Sequence, residues 1–375
     1  MELEGDGWRY WQPTEIVFGP GVRRQLPGVI SELGESPVLV TDSGLAELPL
    51  IEEIRGILGP GTPVFAEVEP NPTVGMVDAL ARTIREQDID VVVAAGGGSS
   101  MDCAKVACSV AVQGGLARQY HSEGATLDDR HLPLVAMPTT AGTGSEVTPN
   151  AVLGDPEKGV KAPLVHENFY PTVALIDAEV TASMPPTVTA STGFDALAHA
   201  VEGYWSKNHQ PICDLFAREA VRLVFDYLPR ALEEPADTEA REGMSMAALF
   251  GGLAFQAPQN AAVHACSFPF SATYHLPHGT ACAMTLDHFI RFNAPAMGER
   301  GQALARAAGC QDMLEFADEV ARMKAASPLP TTLGEIGVTE EDIDDIVESS
   351  FHPLMDNNPR EVTRDDLREI YRSML

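Results

Sequence analysis

The first half of the chain alternates short apolar runs with stretches of helical periodicity. Four apolar runs bounded by Gly, Pro or polar residues span residues 36–42, 88–95, 131–137 and 172–177. Short, continuous runs of this kind are typical of strands that are covered on both faces. A helical pattern over residues 74–86 lies between the first two. This alternation predicts an α/β domain with a mostly parallel sheet.

The pattern changes near residue 185. Strand-like runs become rare, and long helical stretches follow at residues 192–205, 212–232 and 240–255. We therefore predict two domains, an α/β domain at residues 1–185 and an all-helical domain at residues 186–375.

Composition excludes several classes of partner. The chain has 375 residues, with 25 Lys plus Arg against 54 Asp plus Glu and a formal net charge of −29. So acidic a surface repels nucleic acids and anionic membranes. No apolar run approaches the roughly 20 residues of a membrane-spanning helix, and the acidic residues 1–6 lack a signal-peptide layout. Six scattered cysteines without a C-x-x-C pair suggest neither disulfides nor a cysteine zinc site, so we expect a cytoplasmic protein.

The first candidate site is the segment Gly96-Gly-Gly-Ser-Ser-Met-Asp-Cys-Ala-Lys105, which follows a predicted strand and opens a helix. Glycines let a ligand approach the backbone, and a helix N-terminus offers free N–H groups and a positive dipole end. These features favour a pyrophosphate cradle, although a tight turn between strand and helix would leave the same pattern. The segment matches neither G-x-G-x-x-G nor the P-loop pattern.

A second segment, Pro138-Thr-Thr-Ala-Gly-Thr-Gly-Ser-Glu-Val-Thr148, follows the third predicted strand. Open α/β sheets bind ligands at their carboxyl edge, where the hydroxyls of this segment suit a polar ligand. Asp42 ends the first predicted strand, and a carboxylate there can bind ribose hydroxyls and would repel a 2′-phosphate. An exposed loop carboxylate is the alternative interpretation of Asp42.

Acidic and histidine side chains suggest a metal site. Asp195 and His199 lie four residues apart and share one face of a predicted helix, where an ordinary helical hydrogen bond is the alternative. Four of the ten histidines fall within residues 264–288, namely His264, His275, His278 and His288. One Asp and three His would form a mixed oxygen and nitrogen site, suited to Fe(II), Zn(II) or another first-row metal.

Together these motifs resemble the iron-containing (group III) alcohol dehydrogenase family. The resemblance extends over most of the chain, from Ile16-Val-Phe-Gly-Pro-Gly21 and Val68-Glu-Pro-Asn-Pro-Thr73 to Asn358-Pro-Arg360 and Thr363-Arg-Asp-Asp366. It implies a dehydroquinate synthase-like fold, with an N-terminal α/β domain that binds the nicotinamide cofactor. The C-terminal all-helical domain would bind the metal and the substrate.

The resemblance also implies roles for individual residues. The implied metal ligands are Asp195, His199, His264 and His278. The implied cofactor-binding residues are Asp42, Asn71, Gly97, Gly98, Ser99, Thr139, Thr140 and Lys161, with Asp102 and Thr143 as their neighbours.

The activity implied by the resemblance is that of an NAD(P)-dependent, metal-dependent alcohol dehydrogenase. The expected cofactors are NAD rather than NADP, because of Asp42, and one divalent metal, Fe(II) or else Zn(II). In such an enzyme the metal acts as a Lewis acid on the substrate oxygen. The resemblance implies a homodimer, and we expect no nucleic-acid or membrane partner.

The expected substrate is a small alcohol/aldehyde pair, and the alternative is an anionic aldehyde such as phosphonoacetaldehyde or a semialdehyde. A dehydroquinate synthase-type lyase shares the architecture but needs several basic residues for its phosphate-bearing substrate, and this chain has only five lysines. A protein that binds metal and nucleotide without catalysis is the non-enzymatic alternative.

One position departs from the family pattern. Many members have a further histidine four positions after the metal-binding histidine that corresponds to His264, and here that position is Phe268. His275 is then the nearest titratable candidate for proton transfer, and an ordinary surface histidine is the alternative.

Overall fold

A computed structural model describes residues 7–375, so the prediction about a signal peptide at residues 1–6 lies outside the described residues. The chain forms two compact units. The α/β unit comprises Trp11–Thr140 and Ser145–Thr181. The helical unit comprises Ala182–Leu375, Ala141–Gly144 and the described residues up to Tyr10.

The strands all belong to the α/β unit. They are β1 (Glu15–Phe18), β2 (Pro37–Asp42), β3 (Val64–Val68), β4 (Val91–Gly96), β5 (Leu134–Pro138), β6 (Asn150–Asp155), β7 (Val160–Val165) and β8 (Val173–Ile176). The helices of this unit are α1 (Leu26–Leu33), α2 (Pro49–Leu58), α3 (Val74–Glu86), α4 (Gly98–Gln113) and α5 (Ala117–Ser122). Within residues 7–375, six strands form a parallel sheet in the order β1-β8-β5-β4-β2-β3, and β6 and β7 form an antiparallel hairpin.

Helices cover both faces of the sheet, which explains the continuous apolar runs. Along β4, Val91 and Val93 pack into one core with α1 and α2, whereas Val92 and Ala94 pack into the other with α3 and α4. A strand that faces two cores has no polar side. The four predicted runs correspond to β2, β4, β5 and β8, and the predicted α/β class is confirmed.

The carboxyl ends of β2, β4 and β5 meet at one edge of the sheet because the three strands are neighbours and parallel. Gly96, at the end of β4, pairs with Pro138, at the end of β5. Asp42 ends β2, and β2 pairs with the side of β4 that faces away from β5. The segments that follow these strands are therefore close together in space.

In the described part of the second unit the regular elements are all helices, as predicted. Its helices are α6 (Pro186–Trp205), α7 (Pro211–Glu233), α8 (Thr238–Phe255), α9 (Ala262–Thr273), α10 (His278–Ala307), α11 (Met313–Ala325), α12 (Ile343–Ser350) and α13 (Arg364–Arg372). Helix α10 is interrupted at Gly298, whose φ is 50°. In the part of the chain that the structure describes, no helix has the length and hydropathy needed to cross a membrane.

Helix α6 is the central element of this unit. Every residue from Gly193 to Trp205 is buried, and the helix packs against α7, α8 and α10. A helix that is enclosed on all sides normally carries apolar residues all round. The acidic and histidine residues of α6 therefore lie inside the core, where charged side chains are rare unless they are paired or bind a ligand.

Two of the five lysines are also buried, and each is surrounded by oxygen acceptors. Lys324 donates to the carbonyl oxygens of Ala283 and Met284 and lies 2.6 Å from Asp287 Oδ1, which fixes α11 to α10. Lys105, on α4, donates from Nζ to Ser145 Oγ (2.7 Å) and to two carbonyl oxygens, those of Thr148 (3.0 Å) and Asn150 (2.8 Å). Its ammonium group thus holds the end of the second candidate segment and the start of β6 against α4.

Replacing Lys105 with Met should lower the free energy of unfolding by about 3 kcal/mol, because the buried acceptors lose their only common donor. Urea denaturation followed by circular dichroism measures this change. The matched control is Lys158→Met, which removes an exposed ion pair with Glu123 (Nζ–Oε1 3.1 Å) and should change stability by less than about 1 kcal/mol. Equal effects of the two substitutions would contradict the role assigned to Lys105.

Candidate metal centre and cofactor-binding residues

The four predicted metal ligands come from three helices of the helical unit and lie together. Asp195 and His199 are on one face of α6, His264 is on α9, and His278 is the first residue of α10. Asp195 Oδ1 is 3.7 Å from His264 Nε2, 3.7 Å from His278 Nε2 and 3.9 Å from His199 Nδ1. The Nε2 atoms of His199 and His264 are 3.1 Å apart.

The Asp195 carboxylate lacks the partners that a buried charge requires. Its side chain is 3% exposed, and Oδ1 has no hydrogen-bond partner among the described residues. Burial raises the pKa of Asp195, but the three neighbouring imidazoles lower it below its ordinary value. An unpaired buried charge is costly. A cation among these four side chains would remove that cost, so the residues present fit a bound metal.

The imidazole of His199 is in the form that binds a metal. Burial lowers the pKa of His199 to about 3, against the opposite effect of Asp195, so the ring is neutral and has a free nitrogen lone pair. The ring stacks on Phe255 with centroids 4.2 Å apart, which fixes its orientation. One carboxylate oxygen and three imidazole nitrogens are a donor set for a first-row transition metal rather than for Mg²⁺ or Ca²⁺.

Glu202 holds His264 from the side away from the cluster. It is fully buried and accepts hydrogen bonds from His264 Nδ1 (2.5 Å) and from the backbone N–H of Val263 (2.6 Å). With Nδ1 occupied, Nε2 of His264 is the nitrogen that faces Asp195. The sequence analysis did not identify Glu202, although positions 195, 199 and 202 share one helix face.

Gly279 allows α10 to begin close to α6. A Cβ atom at this position would lie 2.0 Å from the carbonyl oxygen of Ser191 and 2.9 Å from Asp195 Cβ, so no side chain fits. His278, the preceding residue, is thereby brought next to Asp195. One turn later Cys282 also faces the cluster, with Sγ 4.0 Å from His278 Nε2. The sequence analysis did not include this cysteine.

His275 lies apart from the group of closely spaced donors. It is exposed, has a φ of 57°, and lies between the end of α9 and the start of α10. Phe268, at the position where many family members have a histidine, makes an edge-to-face contact with the ring of His352, with centroids 5.0 Å apart.

The predicted cofactor residues of the α/β unit lie mainly at the carboxyl edge of the sheet. Gly97 precedes α4, and Gly98 and Ser99 form its first turn, where backbone N–H groups are free to bind an anion. Thr140 lies beside Gly97, because a Cβ atom on that glycine would be 3.5 Å from Thr140 Oγ1. The Thr139 hydroxyl is buried and has no hydrogen-bond partner within the described ranges.

Asp42 lies in the turn that follows β2. Its Oδ1 accepts hydrogen bonds from the N–H groups of Gly44 and Leu45, both 3.0 Å, which closes the turn after β2. Its Oδ2 points toward Gly96, since a Cβ atom on that glycine would lie 3.5 Å away. The carboxylate therefore lies beside the glycine-rich turn.

The remaining predicted residues fall into three places. Lys161, on β7, donates to Asn71 Oδ1 at 2.7 Å, so these two predicted residues meet. Asp102 accepts hydrogen bonds from Ser145 Oγ and from the N–H of Val152, both 2.8 Å, so its carboxylate anchors neighbouring segments of the α/β unit. Thr143 belongs to the short segment that groups with the helical unit.

Known proteins match both units of the chain. The family described as "Iron-containing alcohol dehydrogenase" matches residues 13–178, and the one described as "Fe-containing alcohol dehydrogenase family, C-terminal" matches residues 189–375. An NAD-dependent methanol dehydrogenase of Bacillus methanolicus is 32% identical, covering 98% of this chain and 99% of that one. An NADPH-dependent butanol dehydrogenase of Clostridium saccharobutylicum is 31% identical, with 97% of each chain covered.

A solved structure is also similar over nearly the whole chain. It is that of a sulfoacetaldehyde reductase from Bifidobacterium kashiwanohense in complex with NAD⁺. The sequence identity is 42%, the TM-score is 0.95, and 99% of each chain is covered.

The substitution Glu202→Gln should weaken metal binding about 10- to 100-fold, because one of the N–H groups at His264 and Val263 would face an amide N–H instead of an oxygen. Zinc affinity measured by competition with a coloured chelator reports the change. The control is Glu242→Gln, at an exposed position of α8. If both variants bound zinc like the original protein, Glu202 would have no role in orienting His264.

Proposed function

Because the chain belongs to the iron-containing alcohol dehydrogenase family, we propose that it interconverts a small aldehyde and its alcohol at a metal held by Asp195, His199, His264 and His278. The observation that carries this proposal is the buried Oδ1 of Asp195. It has no hydrogen-bond donor among the described residues, and three imidazole nitrogens lie 3.7–3.9 Å from it.

These residues would hold the metal in a largely buried cluster. Three of the four are almost fully buried, and His278, with a side chain 39% exposed, is the one through which solvent or substrate reaches the cluster. We propose Fe(II), with Zn(II) as the alternative, because both accept one carboxylate and several imidazoles. When bound, such a metal polarises the oxygen of the substrate as a Lewis acid.

The α/β unit supplies the nicotinamide cofactor site in this proposal. The first turn of α4, at Gly98 and Ser99, would bind the pyrophosphate through backbone N–H groups, and the Thr139 hydroxyl would provide one further hydrogen bond. Asp42 would accept the ribose hydroxyls through Oδ2 and would repel the 2′-phosphate of NADP. The proposed cofactor is therefore NAD, which carries the hydride.

Phe268 has no titratable group, so it cannot carry a proton to or from the substrate. The proposed carrier is His275, which is exposed on the connection between α9 and α10. Since its ring lies outside the donor cluster, the proton would travel between this ring and the substrate through water.

A second candidate substrate is an anionic aldehyde. It is favoured by the 42% identity, over nearly the whole chain, to a protein described as a sulfoacetaldehyde reductase. That class includes aldehydes with a sulfonate, a phosphonate or a carboxylate close to the reacting carbon.

We also propose that the enzyme is a homodimer in a reducing cytoplasm. The six cysteines are all free and buried, which supports the compartment. The dimer follows from the family resemblance, and a monomeric mass in sedimentation equilibrium would contradict it.

The first experiment follows NADH oxidation with neutral aldehydes (acetaldehyde, propionaldehyde, butyraldehyde) and anionic ones (sulfoacetaldehyde, phosphonoacetaldehyde, succinic semialdehyde). Chelation should reduce kcat by about a thousandfold or more, since metal polarisation supplies several kcal/mol, and Fe(II) or Zn(II) should restore it. Asp195→Ala should not recover, whereas the surface variant Glu242→Gln should behave like the original.

The substrate classes are separated by kcat/KM in the same assay. The primary proposal expects the highest value with a neutral aldehyde, and a value at least about tenfold higher with an anionic one, a difference of ~1.4 kcal/mol, would favour the second candidate. Full activity after complete metal removal would contradict the proposed mechanism. Steady oxidation of free NADH would exclude the lyase.

The second experiment tests the cofactor preference. The original protein should have a kcat/KM at least about tenfold higher with NADH than with NADPH, and Asp42→Asn should reduce this ratio about tenfold by removing the charge that repels the 2′-phosphate. Asn keeps the oxygen that accepts from Gly44 and Leu45, so the turn should survive. Glu47→Gln, exposed in the same loop, is the control, and a tenfold preference for NADPH in the original protein would overturn the proposal.

A further inference from the structure

Cys282 lies beside the proposed metal ligands, although the sequence analysis did not name it as a site residue. We propose that Cys282 is a fifth protein ligand of the metal centre, so that this chain binds its metal with carboxylate, imidazole and thiolate donors together. The inference rests on the proposed metal centre and specifies its donor set.

The placement of Cys282 follows from the start of α10. His278 is the first residue of this helix and Cys282 lies one turn later, so both side chains project from the same face. One donor atom from each of Asp195, His264, His278 and Cys282 lies within 4.8 Å of all the others. The Sγ–Nε2 distance between Cys282 and His278 is 4.0 Å.

These distances are close to those of a common coordination sphere. With metal–sulfur and metal–nitrogen bonds of about 2.3 and 2.0–2.1 Å, a sulfur and a nitrogen ligand at a right angle on one five-coordinate ion lie about 3.1 Å apart. Side-chain rotations that move Sγ by less than about 1 Å would therefore bring it to bonding distance from a metal in this cluster. The thiol is completely buried, as is the unpartnered oxygen of Asp195 that faces the same point.

The other cysteines have different surroundings. In the described part of the chain, none of the other five belongs to a group of three or more closely spaced metal-binding donors; these are Cys103, Cys108, Cys213, Cys266 and Cys310. Among the described residues, the group around Asp195 is the one set of three or more His, Cys, Asp or Glu donors close enough to share an ion.

Coordination by Cys282 would replace its S–H bond by a sulfur–metal bond, and the proton would pass to the buffer. The thiolate would add its negative charge to those of the buried carboxylates of Asp195 and Glu202, which lie on either side of His264. The sulfur would shift the preference of the site toward softer ions such as Zn(II).

The test uses the full-length protein loaded with Co(II), whose thiolate complexes have a charge-transfer band in the near ultraviolet. The original protein and the control Cys310→Ser should show this band with one equivalent of cobalt, and Cys282→Ala and Cys282→Ser should lose it. Cobalt should also bind at least about tenfold more weakly to the two Cys282 variants, because even partners outside the coordination sphere contribute this much.

The outcomes separate this inference from the proposed function. One equivalent of cobalt bound without the band would overturn the Cys282 ligand and leave the metal centre intact. Failure of the folded original protein to bind cobalt or zinc would overturn the metal centre itself.

X-ray absorption of the zinc-loaded original protein decides the question if the Cys282 variants do not fold. A sulfur neighbour at about 2.3 Å from zinc supports the inference, and a shell of nitrogen and oxygen alone overturns it.

Discussion

The carboxylate of Asp195 is the constraint on which the helical unit depends. It is buried on a helix that is enclosed on all sides, and no donor of the described chain pairs with its Oδ1. Such a charge destabilises the fold unless a cation is bound beside it. The absence of a side chain at Gly279 and the hydrogen bonds of Glu202 both serve to bring imidazoles around this oxygen. Stability and metal binding are therefore linked at one atom.

Much of the fold was predictable from the sequence because the central strands face two cores. β2, β4, β5 and β8 are continuous apolar runs, and α6, α7 and α8 are long helical stretches in a part of the chain where strand-like runs are rare. β1 and β3 were missed because they lie at the two edges of the sheet, where polar residues such as Glu15 and Glu67 interrupt the apolar pattern. The β6–β7 hairpin was missed for a similar reason, since β7 alternates exposed and half-buried residues.

The site residues predicted from the sequence were those that belong to short, recognisable sequence motifs. Glu202 and Cys282 were not found because their importance comes from contacts between helices. Glu202 meets His264 across 62 positions of the chain, and Cys282 faces the cluster only because α10 begins at His278. The register of a helix and the neighbour that its face meets are set by tertiary packing, which local spacing does not specify.

The burial of two lysines changes how the folded chain reacts with amine-directed reagents. Lys105 and Lys324 are enclosed, so only Lys158, Lys161 and Lys207 present side-chain amines at the surface. Among the lysine side chains, acylating dyes, fixatives and coupling resins therefore reach three in the native protein, one of which, Lys161, adjoins Asn71. The number of labelled lysines distinguishes native from unfolded chains.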